Sequence, residues 1–121
     1  MKYTVKLNSN KDFTSLYKKG RFIAGANCVL YFRKNGRKFN RVGISTSKKI
    51  GNAVKRSRAR RVIRQAYRET EELFPVGYDI VFTARQPSTE CKTYHITGFI
   101  RKKALPFMMK NTVDNGKNKK K

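Results

Sequence analysis

Residues 48–68 read KKIGNAVKRSRARRVIRQAYR, with nine lysines or arginines and no acid. Asn52 stands where a helix needs a side-chain oxygen to satisfy its first free N–H groups. From there the spacing predicts a helix from about Ala53 to Leu73, roughly 30 Å long at ~1.5 Å per residue. Ala59, Val62, Ile63, Ala66 and Tyr67 form its apolar stripe. Arg60, Arg64 and Arg68 run along the helix at i, i+4 and i+8, with Arg58 and Arg61 extending the basic arc. Like charges at that spacing repel by a few tenths of a kcal/mol per pair. A polyphosphate partner removes that penalty, whereas a merely solvated face keeps it.

The flanking segments give this helix its place. Arg41 to Thr46 reads as a strand with Val42 and Ile44 toward the core and Gly43 and Ser45 away. Tyr78 to Ala84 is the most apolar strand, with Ile80 and Phe82 inward. Strand, long helix and strand make a βαβ unit, so these two strands are expected to be parallel. Upstream, Ser9 to Lys19 reads as a short helix, capped by Ser9 with Asp12 three residues on and stopped by Gly20. Phe13, Leu16 and Tyr17 share one of its faces. Arg21 to Ala24 and the alternating Cys28 to Lys34 read as strands pairing with the next in antiparallel hairpins. A last helix is expected from Thr93 to about Lys110, kinked or ended by Pro106. Residues 1–110 form one domain in this reading, and 111–121, rich in Asn, Gly and Lys, form a basic disordered tail.

Thirty basic residues against seven acidic ones give a net charge of +23, well beyond what solubility needs. That balance points to a polyanion, and to binding that weakens steeply with salt. Apolar residues make up 38% and fall in periodic segments, so the chain is not just a basic tail. No 18-residue apolar run predicts a membrane span, and no signal-peptide core is visible. Cys28 and Cys91 are too few and too far apart for a zinc or disulfide framework; they read as reduced core residues of a cytoplasmic protein.

Catalytic chemistry finds little footing. His95 is the one histidine, three of the seven acids (Glu69, Glu71, Glu72) crowd one helix end, and no nucleophile, metalloprotease or P-loop motif occurs. A protein nuclease would want a carboxylate cluster for metal ions. The chain is therefore expected to bind and position rather than to cleave. Besides the arginine helix, the aromatics Phe13, Tyr17 and Tyr31 offer a stacking platform for single-stranded nucleic acid, although an i, i+4 aromatic pair is more often a core pattern. Gly43 beside Ser45 is expected to leave room for such a groove. A helix-turn-helix reader is disfavoured, because no turn-helix partner precedes Ala53.

The run SKKIGNAVKRSRARRVIRQAYRE, with RVGIST before it and YDIVFTAR after it, resembles the signature of the bacterial ribonuclease P protein component. The resemblance spans roughly Asn10 to Arg85. It implies an α+β fold of order α-β-β-β-α-β-α, a two-layer sandwich with a left-handed βαβ crossover, where general rules favour the right-handed one. It further implies the protein subunit of a ribozyme that removes 5′ leaders from precursor tRNA, with Mg2+ acting mainly with the catalytic RNA. Asn52, Arg56, Ser57, Arg58, Arg60, Arg61, Arg64 and Arg68 would then grip the ribonuclease P RNA. Phe13, Tyr17 and Tyr31, bordered by Ser45, Lys48 and Lys49, would form the cleft for the leader of precursor tRNA. No membrane or small-molecule substrate is implied. Ser57 departs from the family pattern, which has Asn there; the hydroxyl keeps a donor and an acceptor but loses the reach of the amide. The competing reading is a structural RNA-binding protein such as a ribosomal protein.

Overall fold

The structure, a computed structural model, describes residues 4–7, 9–85 and 91–110; the tail expected at 111–121 lies outside them. The elements are β1 (Thr4–Lys6), α1 (Asn10–Lys19), β2 (Arg21–Ala24), β3 (Cys28–Lys34), β4 (Asn40–Ser45), α2 (Ala53–Thr70), β5 (Tyr78–Ala84) and α3 (Thr93–Phe99). They build a five-stranded sheet of order β1-β4-β5-β3-β2. The strand at Thr4–Lys6 was not readable from its pattern; it pairs parallel to β4.

β4 and β5 are parallel neighbours joined through α2, as the βαβ reading requires. β2 and β3 form the expected antiparallel hairpin. The antiparallel hairpin expected of β3 and β4 does not form, because β5 lies between them, antiparallel to β3 and parallel to β4. The reason is burial. Ile80 and Phe82 point to one face and Val81 to the other, and all three are fully buried. A strand covered on both faces belongs in the middle of the sheet.

The larger core lies between the sheet and α2 with α3, joining Leu30, Phe32, Ile63, Tyr67, Phe82, Ile96 and Met108. This is the expected sandwich. α1 adds a partial third layer on the opposite face, where Leu7 and Leu16 cover Val81 and Phe13 and Tyr31 pack alongside. Cys28 and Cys91 form no disulfide and are buried in the larger core. Burial, with a smaller contribution from Cys91 and against the charge of Arg85, pushes the Cys28 thiol up to about 12.

The α-helical part of α2 stops at Thr70, and residues Glu71–Leu73 tighten into a 3-10 turn. There Glu71 turns inward and accepts from the Thr4 hydroxyl at 2.7 Å. Thr4 has one proton and gives it to that carboxylate, so Tyr67 donates its own to Thr4, at 2.8 Å. This chain of bonds ties β1 to α2. Pro106 does not end the last helix. A π-helical turn over Ile100–Ala104, with the Leu105 N–H reaching the Ile100 carbonyl, precedes helical backbone at 105–110. The wider turn eases the clash that a proline ring has with the carbonyl four residues back. His95 sits in the first turn of α3, where its Nδ1 accepts from the Lys92 N–H at 2.9 Å.

Candidate nucleic-acid interface

α2 begins as its sequence predicts. Asn52 Oδ1 accepts from the Lys55 N–H at 3.0 Å. Before it, Ser47 caps a 3-10 turn at Lys48–Ile50, whose Ile50 is buried while Lys48 and Lys49 are exposed. The arginines then fan around the helix at about 100° per residue. Arg61, Arg64 and Arg68 are exposed; Arg56, Arg58 and Arg60 are half-buried. Arg56 Nη1 donates to the Gly51 carbonyl at 2.7 Å. Arg60 donates to Thr46 Oγ1 at 2.9 Å and to Ser57 Oγ at 3.2 Å. Ser57 thus orients a neighbouring guanidinium, a use for the hydroxyl in the place where the family pattern has an amide. Arg58 lies on the other flank, near enough to Cys91 for its charge to oppose the burial that raises that thiol.

α1 is docked on the sheet by charge. Arg41 Nε and Nη2 fork onto the two oxygens of Asp79 at 2.8 and 2.7 Å, and its Nη1 reaches Asp12 on α1 at 3.4 Å. Burial alone would push the Asp79 carboxyl up. Hydrogen bonds from Arg41 and Asn35, with the charges of Arg41 and Arg33, outweigh it and hold the carboxyl below its ordinary value. A second tie runs from Arg33 Nη1 to Ser15 Oγ at 2.9 Å.

The docked helix sets the aromatics. The Tyr17 ring meets Tyr31 edge-on with centroids 4.8 Å apart, Phe13 follows Tyr17 at 6.4 Å, and Phe22 packs on Tyr31 from β2 at 5.6 Å. Tyr17 also bonds its hydroxyl to Thr83 Oγ1 at 3.3 Å. Beyond this row the register sets Ala24, Val29, Thr83 and Ser45 side by side across the sheet. These side chains form a row from β2 to β4, whose chain continues into the turn that bears Lys48 and Lys49. Gly43 does not provide the expected room, because the Phe13 ring fills it: a Cβ there would meet Phe13 Cε1 at 2.6 Å.

Phe13 also belongs to a second feature. It lines a hollow of about 480 Å³ with Lys6, Leu7, Gly43, Ile44, Arg60 and Arg64. This hollow sits where β1 stops at Lys6 and leaves the rest of β4 as an open edge. The arginine helix and the aromatic cleft, expected as separate surfaces, therefore meet at Phe13. Reading the sequence alone missed Phe22, Thr83, Lys6 and Arg85. The signal for Phe22 was present: Ile23 points to the core, so Phe22 must share the face of Tyr31, its partner in register.

The comparisons agree with this fold. The family model described as Ribonuclease P matches residues 1–104. The ribonuclease P protein component of Alkaliphilus oremlandii is 39% identical over 100 residues, covering 83% of this chain and 88% of the relative. That of Clostridioides difficile is 46% identical over 85 residues, covering 69% and 75%. Among solved structures, the RNase P protein of Staphylococcus aureus superposes with a TM-score of 0.69 at 34% identity, covering 84% of this chain and 91% of that one. The RNase P protein of Thermotoga maritima gives a TM-score of 0.69 at 28% identity, covering 78% and 89%. With its arginine-faced helix, its aromatic cleft and these relatives, the chain belongs to the ribonuclease P protein family.

Proposed function

We propose that this ribonuclease P protein component holds the catalytic RNA with the outer arc of α2 and the single-stranded 5′ leader of precursor tRNA with the aromatic cleft. The observation that carries the reading is the continuity of the two surfaces through Phe13, whose ring lines one hollow with Arg60 and Arg64 and stacks beside Tyr17. Rings give each base a face to stack on, and cations hold the backbone, without a demand for particular bases. Arg60 is already oriented by Thr46 and Ser57, so it loses little freedom on meeting a phosphate. Lys48 and Lys49, exposed in the turn after β4, extend the positive path.

In this reading the polypeptide positions and the RNA cleaves. Among the described residues no three His, Cys, Asp or Glu side chains gather where a metal ion could be held. We assign the magnesium ion of the reaction to the RNA. No helix among the described residues is long and apolar enough to cross a membrane. A purely structural RNA-binding role is disfavoured by the exposed rings of the cleft, which such a role leaves unused.

The test is reconstitution with a bacterial ribonuclease P RNA. Phe13→Ala with Tyr31→Ala should weaken binding of leader-bearing precursor by about tenfold or more, at ~1–3 kcal/mol per stacked base. Leaderless tRNA should be bound as before. An equal loss on both substrates would refute the leader cleft.

A further inference from the structure

Phe22 is 57% exposed, more than Tyr17 at 38%, and it is no part of the core. It stands on the edge strand β2, directly opposite Tyr31 in register, with its ring 5.6 Å from that of Tyr31 and tilted by 35°. Tyr17 approaches the same Tyr31 ring while its hydroxyl reaches Thr83 on β5. Tyr31 thus lies between a ring on its β5 side and a ring on its β2 side. A phenyl ring left so exposed at a polar edge is unfavourable in water unless something covers it. A cation, Arg85, stands at the same end of the sheet. Arg85 directly follows the last residue of β5. Its Nη1 is held by the Gly25 carbonyl at 3.0 Å, its backbone N–H by the Asn27 carbonyl at 3.0 Å, and the side chain remains exposed. Gly25 is three residues beyond Phe22, about 10 Å along the strand.

We infer that Phe22 and Arg85 form an additional nucleotide position at the β2 end of the cleft, Phe22 stacking a base and Arg85 meeting the adjoining phosphate. This inference rests on the reading of the cleft as the leader site and deepens it. The occupant is the leader nucleotide farthest across the sheet from Lys48 and Lys49. It is bound by ring stacking and charge, so it should show little base preference beyond stacking strength.

Leader length provides the test, with the holoenzyme reconstituted from this chain and a bacterial ribonuclease P RNA. Binding is measured for precursor tRNAs whose leaders grow one nucleotide at a time. The parent protein should gain affinity at each nucleotide the cleft can hold. Phe22→Ala should abolish the last of these gains, a loss of about fivefold or more for the longest leaders, and leave short leaders untouched. Phe22→Leu still covers Tyr31 with apolar surface but cannot stack a base, so it should lose as much as Phe22→Ala. Phe22→Tyr should restore the gain. Arg85→Gln should lose the same step and flatten its salt dependence. If Phe22→Ala and Phe22→Leu match the parent on every leader while Tyr31→Ala loses affinity, the added position is wrong and the cleft stands. If Tyr31→Ala is also without effect, the cleft reading itself fails. A Phe22→Ala loss of equal size on leaderless tRNA would assign the ring to another contact and overturn the inference.

Discussion

A Cβ on Gly43 would stand 2.6 Å from Phe13 Cε1 and 2.7 Å from the Leu7 backbone oxygen. The ring can swing away; the backbone oxygen cannot without disturbing the β1–β4 join. Gly43→Ala should therefore cost about 1–3 kcal/mol, read as a lower urea midpoint, and should also displace the Phe13 ring that links the two surfaces. Asp79 has a comparable part on the other side of the same cleft. Its side chain is almost fully buried and is forked by Arg41. Asp79→Ala strips Arg41 of that fork and should lower stability by about 3 kcal/mol in denaturant titrations. Because the folded-state value of Asp79 is depressed, its contribution is complete above the unfolded value of about 4 and fades as pH falls through the folded one. Stability measured between neutral pH and about pH 2 should show this acid-side loss, and Asp79→Asn should flatten it.

At the scale of elements, α2 does two jobs with one sequence. Ala59, Ile63, Ala66 and Tyr67 are buried, and the arginines occupy the rest of the circumference. Replacing Arg60, Arg64 and Arg68 together by alanine should reduce affinity for the RNA subunit and lower the slope of log affinity against log salt by about 2–3. An unchanged slope would mean these side chains are only solvated. Asn52→Ala should weaken the start of the helix by about 1 kcal/mol, since it frees the Lys55 N–H, without changing that slope. Gly20 shows the limit of reading elements locally. It follows α1 as a terminating glycine should, but with φ of −82° rather than a positive value. What requires glycine there is contact: a Cβ would lie 2.7 Å from Leu16 Cδ1 and 3.0 Å from the Phe32 carbonyl oxygen.

For the whole molecule, a charge of +23 on 121 residues works against compactness as well as for binding. Sulfate should raise the thermal midpoint followed by circular dichroism, because an anion held by the folded arginine face stabilises that state by mass action. A midpoint indifferent to sulfate but sensitive to chloride at equal ionic strength would contradict specific anion binding. The polypeptide alone, freed of nucleases, should leave precursor tRNA uncut in magnesium; specific 5′ cleavage under those conditions would overturn the division of labour proposed here.

Period and capping alone determined much of this protein. The long helix, its Asn52 cap and apolar stripe, the parallel strands on either side of it and the polyanionic partner all follow from local spacing and charge. These properties depend on neighbours in sequence, which is why they are legible there. The middle place of β5, the strand at Thr4–Lys6, the meeting of α2 with Phe13, and the exposure of Phe22 came only with the tertiary structure. Each depends on which residues far apart in the chain come side by side. Val81 is as apolar whether its face is open or covered, and only the docking of α1 through Asp12, Arg41 and Asp79 decides that it is covered. The same docking leaves Phe22 exposed on the β2 edge, with its ring against that of Tyr31.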